Sequence, residues 1–265
     1  MTTSGSVRYS LRRRILAGEV LFGAWASLDS AVAAEILARA GFDWVVVDLE
    51  HGATTEATLL AHLTAIETAG AAALVRPQSA ERLRIGRALD LGAEGVVVPR
   101  LDTADQVLEA VTFLRYPPAG ARGVALLTRG ARLGSVPHAG VAGLNDEIVG
   151  IVQVESRGAL EAADEIAAID GVDVLFVGPA DLSHSLGVPG RFEEPIYQDA
   201  LRRVVDACRR HGKAAGILLY VDAAYSPHLE LGFTFVGLGA DVSFVADSAS
   251  AAIAAGRAAI GSPLG

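Results

Sequence analysis

Glu155, in Val-Gln-Val-Glu, and Asp181, in Val-Gly-Pro-Ala-Asp, each close an apolar run that reads as a buried parallel strand. A carboxylate where such a strand ends lies at the mouth of an α/β fold, the side on which ligands bind. Two on successive strands form a cradle of hard oxygen donors suited to Mg²⁺ or Mn²⁺. The competing structural assignment makes each acid a partner for the dipole of the helix that follows. Strand alternation places Gln153 on the face of Glu155, where it would support a metal shell.

The same reading picks out Asp48-Leu-Glu-His51. Asp48 and Glu50 share a strand face, with His51 just beyond. Asp48, three residues earlier, is placed to orient the imidazole for acid–base work; the alternative for His51 is a loop cap. Arg76 ends the next apolar run, just before Pro77. It would either clamp a substrate anion or neutralise the neighbouring acids. Opposite charges gathered at the ends of several strands are hard to explain as packing, because unpaired buried charge is costly.

Lysine provides an exclusion. The chain has a single one, Lys213, in His-Gly-Lys before the seventh strand-like run, on the face opposite these acids. A Schiff-base mechanism needs a lysine in the site. If this chain activates a carbonyl compound, a metal must do it. His62, His138, His184, His211 and His228 fall on helix or loop patterns and are not assigned to the site.

The elements that must position these residues alternate along the chain. Strand-like runs cover 20–26, 44–49, 72–76, 95–99, 150–155, 173–177, 215–219 and 233–239. Helical spacing covers 31–40, 56–69, 80–91, 104–114 and 196–211. Gly41, Gly70, Gly92, Gly212 and Gly232 stand where helices should stop. The pattern predicts an α/β protein, a parallel (β/α)₈ (TIM) barrel forming one domain over residues 1–265. A doubly wound open sheet is the runner-up, but the chain lacks both Gly-x-Gly-x-x-Gly after the first strand and a P-loop. The connection from 115 to 146 holds no full strand. It leaves from the bottom of the barrel, and is expected to return to the mouth or to pack on a neighbouring subunit.

Composition narrows the setting. A net charge of −9 argues against nucleic acid as a partner. The single cysteine, Cys208, rules out a disulfide framework within the chain and fits a reducing cytoplasm. Arg12-Arg13-Arg14 precedes an apolar run broken at Gly18-Glu19, which reads as a short lead-in helix rather than a secretory leader. No apolar stretch is long enough to span a membrane.

Together these residues resemble the HpcH/HpaI family of metal-dependent pyruvate aldolases. The likeness runs through Gly-Phe-Asp-Trp44, Asp48-Leu-Glu-His51, Val-Arg76-Pro, Arg115-Tyr-Pro-Pro-Ala-Gly-x-Arg-Gly123, Val-Gln153-Val-Glu155, Gly178-Pro179-Ala-Asp181-Leu182-Ser and Gly216-Ile-Leu. The resemblance implies a barrel that assembles as a homo-hexamer, its last helix exchanged between subunits. It implies that Glu155 and Asp181 hold a divalent metal (Mg²⁺, Mn²⁺ or Co²⁺) supported by Gln153. Arg76 would stabilise an enolate, and Asp48 with His51 would move protons. Backbone groups around Gly178, Pro179, Asp181 and Leu182 would hold the carboxylate of a 2-oxo acid. The reaction implied is the making or breaking of a 4-hydroxy-2-oxo acid from pyruvate or hydroxypyruvate and an aldehyde. A thioester lyase of the citrate lyase β-subunit or malyl-CoA lyase type is the second reading, and a non-catalytic barrel binding a metal–oxo-acid complex the third. Arg100, after Val-Val-Pro99, departs from the neutral residue typical of the family. It would serve either an acceptor carboxylate or an intersubunit ion pair.

Overall fold

The computed structural model describes residues 10–220 and 223–261. Eight parallel strands close into a barrel in chain order: β1 (Leu21–Ala26), β2 (Trp44–Asp48), β3 (Ala72–Arg76), β4 (Gly95–Val98), β5 (Val149–Val154), β6 (Val174–Val177), β7 (Ala214–Leu219) and β8 (Phe233–Ala240). Around them run α1 (Leu11–Leu16), α2 (Ala31–Arg39), α3 (Leu59–Ala69), α4 (Arg82–Asp90), α5 (Ala104–Thr112), α6 (Arg157–Glu161), α7 (Ala163–Ala168), α8 (Pro179–Ser185), α9 (Pro195–His211), α10 (Ser226–Leu231) and α11 (Asp241–Gly261). The predicted (β/α)₈ barrel is thus the observed fold, its strand ends within a residue or so of those read from the apolar runs. No helix among the described residues is long and apolar enough to cross a membrane.

Two apolar layers hold the barrel. Between strands and helices lies a shell of Val, Leu, Ile and Ala. Inside the strands lies a second core built on Trp25, Trp44, Phe176 and Phe235 and closed below by Leu11 and Ile15 of α1. The Trp44 indole stacks on Phe235 with centroids 4.2 Å apart, and Trp25 meets it edge-on at 5.7 Å. This needs bare backbone on β1: a Cβ on Gly23 would lie 1.9 Å from the Trp44 ring. Aromatics fill the middle of the barrel, so its polar residues gather at the C-terminal rim.

Local signals fix the helix ends. Ser30 accepts the Ala33 N–H at the start of α2, and Thr103 with Gln106 forms a reciprocal capping box on α5. Gly70 and Gly212 end α3 and α9 in the left-handed conformation, at φ 106° and 64°.

Of the two courses open to the segment from 115 to 146, return to the mouth is not the one it takes within this chain. It turns through two 3₁₀ stretches, 129–134 and 138–146, around a small core of Tyr116, Ala131, Val136, Val141 and Leu144. Asn145 clamps it by accepting the Tyr116 N–H (2.7 Å) and donating to the Tyr116 carbonyl (3.1 Å). Arg122 pairs with Asp90 at the end of α4, and Arg129 pairs with Glu67 on α3. The segment is a brace on the N-terminal side of the barrel, remote from the acids at the mouth.

Candidate active site

The site is built where β2 and β3 end. Asp48 and Arg76 are paired in the parallel register. The Arg76 guanidinium donates to both Asp48 carboxylate oxygens, Nε to Oδ1 at 2.9 Å and Nη2 to Oδ2 at 2.7 Å. Such a fork fixes the guanidinium plane as well as its position. Asp48 Oδ1 also accepts the backbone N–H groups of Glu50 (3.1 Å) and His51 (3.3 Å). The remaining nitrogen, Nη1, lies 3.2 Å from Glu50 Oε2 and 3.5 Å from Gln153 Oε1. Burial disfavours the Arg76 charge, but Asp48, Glu50 and Glu155 outweigh it and push the guanidinium pKa further up.

The Asp48–His51 side-chain pairing expected from their spacing is not formed. Asp48 turns to Arg76 and to backbone. The His51 ring stands at the rim, its side chain 62% exposed, with Nε2 3.8 Å from Glu50 Oε2. Burial pushes the Glu50 carboxyl up, against the pull of Arg76 and His51.

Glu155 follows β5 directly and is buried. Its Oε1 accepts the backbone N–H of Arg100 at 2.9 Å, which Arg100 presents from a left-handed conformation at φ 53°. Its Oε2 faces Gly178, where a Cβ would lie 3.0 Å away. The bare Gly178 therefore leaves this carboxylate room. Burial raises the Glu155 pKa, the Arg100 N–H opposes the rise, and the charges of Glu50 and Asp181 add to it. Asp181 does not end a strand. It sits exposed in the first turn of α8, which Gly178 and Pro179 begin, and its charge reaches Glu155 from there.

One cavity of about 220 Å³ collects Asp48, His51, Arg76, Gln153, Glu155, Gly178, Pro179 and Asp181. Leu182 is not on its wall. That side chain is fully buried and its N–H donates to the Gly178 carbonyl at 3.0 Å. Helix geometry leaves the N–H groups of Ala180 and Asp181 without an acceptor inside α8, so a carboxylate at this turn would meet those instead.

The donor set suits a hard cation. Among the described residues no group of three or more His, Cys, Asp or Glu side chains makes a full cage. Glu155 and Asp181 are two carboxylates on one cavity, and burial disfavours the ionised form of Glu155 despite the nearby charge of Arg76. Mg²⁺-like ions are held in this way, by one or two carboxylates with other positions left to water and substrate.

The sequence reading missed the opposite wall, which is made by Trp25, Ser27, Phe176, Leu218, Tyr220 and Ala240. Tyr220 carried a usable signal, a polar aromatic just past the seventh strand, the kind of position that flagged Glu155. Burial and then the Asp181 charge raise the Tyr220 pKa, so the hydroxyl keeps its proton.

Comparison with known proteins places this arrangement. The family model described as HpcH/HpaI aldolase/citrate lyase matches residues 21–248. A 2-keto-3-deoxy-L-rhamnonate aldolase of Klebsiella pneumoniae is 42% identical over 231 residues, covering 87% of this chain and 86% of that protein. A 4-hydroxy-2-oxo-heptane-1,7-dioate aldolase of Escherichia coli is 38% identical over 243 residues, covering 91% and 92%. A solved HpcH/HpaI aldolase/citrate lyase family structure from Burkholderia cenocepacia superposes with a TM-score of 0.88 at 37% identity, covering 93% of this chain and 98% of that one. With those matches running the length of the barrel, the chain belongs to the HpcH/HpaI aldolase/citrate lyase family and is an aldolase, a carbon–carbon lyase.

Proposed function

We propose that this chain makes or cleaves a 4-hydroxy-2-oxo acid, with pyruvate or hydroxypyruvate as enolate donor and an aldehyde as acceptor. The observation that carries this reading is Arg76, fixed by both oxygens of Asp48, on the same cavity as Glu155 and Asp181. A fixed cation beside two carboxylates suits a substrate that develops negative charge next to a chelating 2-oxo acid.

In the synthetic direction C3 of the donor loses a proton, and its electron pair forms the new bond to the aldehyde carbon. The aldehyde oxygen becomes an alkoxide and takes up a proton, so the reaction needs no oxidant or reductant. A divalent cation (Mg²⁺, Mn²⁺ or Co²⁺) held by Glu155 and Asp181 would draw electrons from the keto group and stabilise the enolate. Arg76 adds a fixed positive charge in a mostly buried position, where it acts more strongly than in water. Gln153, 3.5 Å from Arg76, helps set that corner. The start of α8, from Gly178 and Pro179 to Asp181, with Leu182 anchoring the turn, receives the donor carboxylate. His51 at the rim exchanges protons with the substrate oxygen, and Asp48 acts by holding Arg76 and the His51 backbone.

The thioester-cleaving alternative has less support, since the relatives at 38% and 42% identity are aldolases. A cytoplasmic setting suits a chain whose single cysteine is buried and unpaired. We also take the working form to be a homo-oligomer, with six subunits the family-based expectation, joined through α11.

The test is proton NMR of pyruvate and hydroxypyruvate in D₂O, first with metal-stripped protein, then with Mg²⁺, Mn²⁺ or Co²⁺ restored. Loss of the C3 proton signal only with metal is the expected result. No exchange with any metal, and no addition when aldehydes are supplied, would sink the proposal.

A further inference from the structure

β1 lies between β8 and β2 in the closed barrel, so the turn after it stands between the root of α11 and the segment that carries His51. That segment, 49–58, has no regular secondary structure. The His51 ring is exposed and comes no nearer to Glu50 than 3.8 Å. Its place is therefore set by the backbone on either side of it. On the strand side the His51 N–H rests on Asp48. On the far side the contacts run to the turn after β1. The Ala53 N–H donates to the Ser27 carbonyl at 2.8 Å, and the buried Thr54 hydroxyl donates to the Leu28 carbonyl at 3.4 Å. The Thr58 hydroxyl donates to the Asp29 carboxylate at 2.6 Å. Gly52 packs so closely that a Cβ would lie 3.1 Å from the Ser27 carbonyl oxygen.

The same two turn residues are held from behind by one side chain. Asp241 opens α11, is buried, and is not on the cavity wall. Its Oδ1 accepts the Ser27 N–H at 2.9 Å and its Oδ2 the Leu28 N–H at 3.1 Å. An acid in the first turn of a helix ordinarily serves that helix, and Oδ1 does accept the Val242 N–H at 2.8 Å. The bonds to Ser27 and Leu28 serve a different element, 214 and 213 residues away in the chain. Hydrogen bonds to a carboxylate are about twice as strong as neutral ones. Ser27 and Leu28 each give their N–H to Asp241 and their carbonyl to the His51 segment, so the two peptide groups relay the hold of one onto the other.

We propose that Asp241 is a positioning residue for the aldolase reaction. From the root of α11 it fixes the turn after β1, and through that turn the backbone that sets where His51 stands at the rim. This rests on the proton-transfer role given to His51 above.

The experiment uses the full-length protein loaded with Mn²⁺ and four variants: Asp241→Ala, Asp241→Asn, His51→Ala, and Asp241→Ala combined with His51→Ala. Addition of pyruvate is measured with whichever of glycolaldehyde, propanal and succinic semialdehyde the wild type uses fastest. Deuterium exchange at pyruvate C3 is followed beside it, and amide hydrogen exchange by mass spectrometry reports on 49–58. Asp241→Ala should lower kcat for addition by about tenfold to 100-fold, the scale of a small misplacement. C3 exchange and the KM for pyruvate should change by about twofold or less, since the bound donor is untouched. In the His51→Ala background the same substitution should cost about twofold or less, because the two residues act as a unit. The amides of 51–54 should exchange faster while β1 and β2 stay protected. Asp241→Asn keeps one acceptor oxygen for Ser27 and turns its amide to the Leu28 N–H, so it should fall between. If Asp241→Ala does not fold, Asp241→Asn decides by the same readings. Equal losses with and without His51 overturn the proposal, as does unchanged protection of 49–58. His51→Ala with wild-type addition also ends it. Wild-type protein that neither exchanges nor adds with any metal defeats the aldolase reading itself, whereas full addition by a variant with a loosened 49–58 segment defeats this one alone.

Discussion

Arg76 and Glu155 are the side chains whose surroundings depart most from what a stable barrel alone would require. Lysine in place of Arg76 offers one point charge where Asp48 now grips a planar fork. Arg76→Lys should therefore lower the pyruvate exchange rate about 100-fold, the scale of losing one aimed charge-stabilising donor. Exchange within a few-fold of wild type would remove Arg76 from the chemistry. Glu155 makes a prediction about pH. Its folded-state pKa lies above the ordinary 4.5, chiefly through burial. The protonated form is thus favoured by folding, and that contribution is complete below the unfolded value and lost as pH rises through the raised one. Above that raised value the metal-free protein carries an ionised, unfavourable Glu155, which a bound cation would relieve. Glu155→Gln should consequently melt higher than metal-free wild type at about pH 7.5, with the gap closing toward acid. It should also lose the melting shift that Mn²⁺ gives the wild type. Thermal melts across pH with and without Mn²⁺ check both, and a variant still stabilised by Mn²⁺ would take Glu155 out of the metal site. The residue types at this site were legible in the sequence; their pairing was not. Spacing brings Asp48 near the His51 backbone, but it cannot show that a guanidinium in register on the next strand will take both carboxylate oxygens.

At the scale of elements, the barrel was legible because parallel strands are buried on both faces and read as continuous apolar runs. Gly41, Gly70, Gly92, Gly212 and Gly232, read as helix stops, all have positive φ. Less legible were the features set by contacts across the sheet. The start of α8 is one: Asp181 reads as a strand end but occupies a helical turn, because Pro179 opens a helix two residues after β6. The 115–146 brace is another, since its small core forms only once the barrel floor is in place. The junction of β6 and α8 makes the prediction at this scale. Gly178 has an ordinary φ of −89°, so alanine fits the backbone. The added methyl would lie 3.0 Å from Glu155 Oε2 and 3.1 Å from its Cβ. Glu155 must yield, because Gly178 is fixed by the helix start. Gly178→Ala should melt close to the metal-free wild type and bind Mn²⁺ about tenfold more weakly, as expected when a ligand's support is disturbed. Titration calorimetry gives that constant, and an unchanged affinity would mean that Glu155 does not need the space.

For the whole molecule, the telling feature is an arm. α11 runs 21 residues, about 31 Å at the usual helical rise. Its root is fixed: buried Asp241 accepts the backbone N–H groups of Ser27 (2.9 Å) and Leu28 (3.1 Å) from the loop after β1, and Phe244 stacks on Phe42. Beyond the root the helix touches little of its own barrel, leaving Val245 60%, Ile253 56% and Ile260 87% exposed. Val32 and Ile36 on α2 and Leu60 on α3 leave a second apolar strip, 65%, 62% and 44% exposed. Apolar surface displayed in this way on a rigid arm marks an interaction site, and the alanines and glycine along the arm allow close helix packing. A second copy of the chain supplies both halves of such a contact. Light scattering should accordingly find an oligomer, a multiple of the 27.4 kDa chain. Ending the chain after Asp247 should leave a folded barrel of lower assembly state, since the Asp241 clasp and the Phe42–Phe244 contact lie before the cut. Far-UV circular dichroism then separates lost assembly from lost fold. A full-length monomer at working concentration would leave the arm without a partner and reject this mode of assembly. An unchanged oligomer after truncation would move the interface to the strip on α2 and α3.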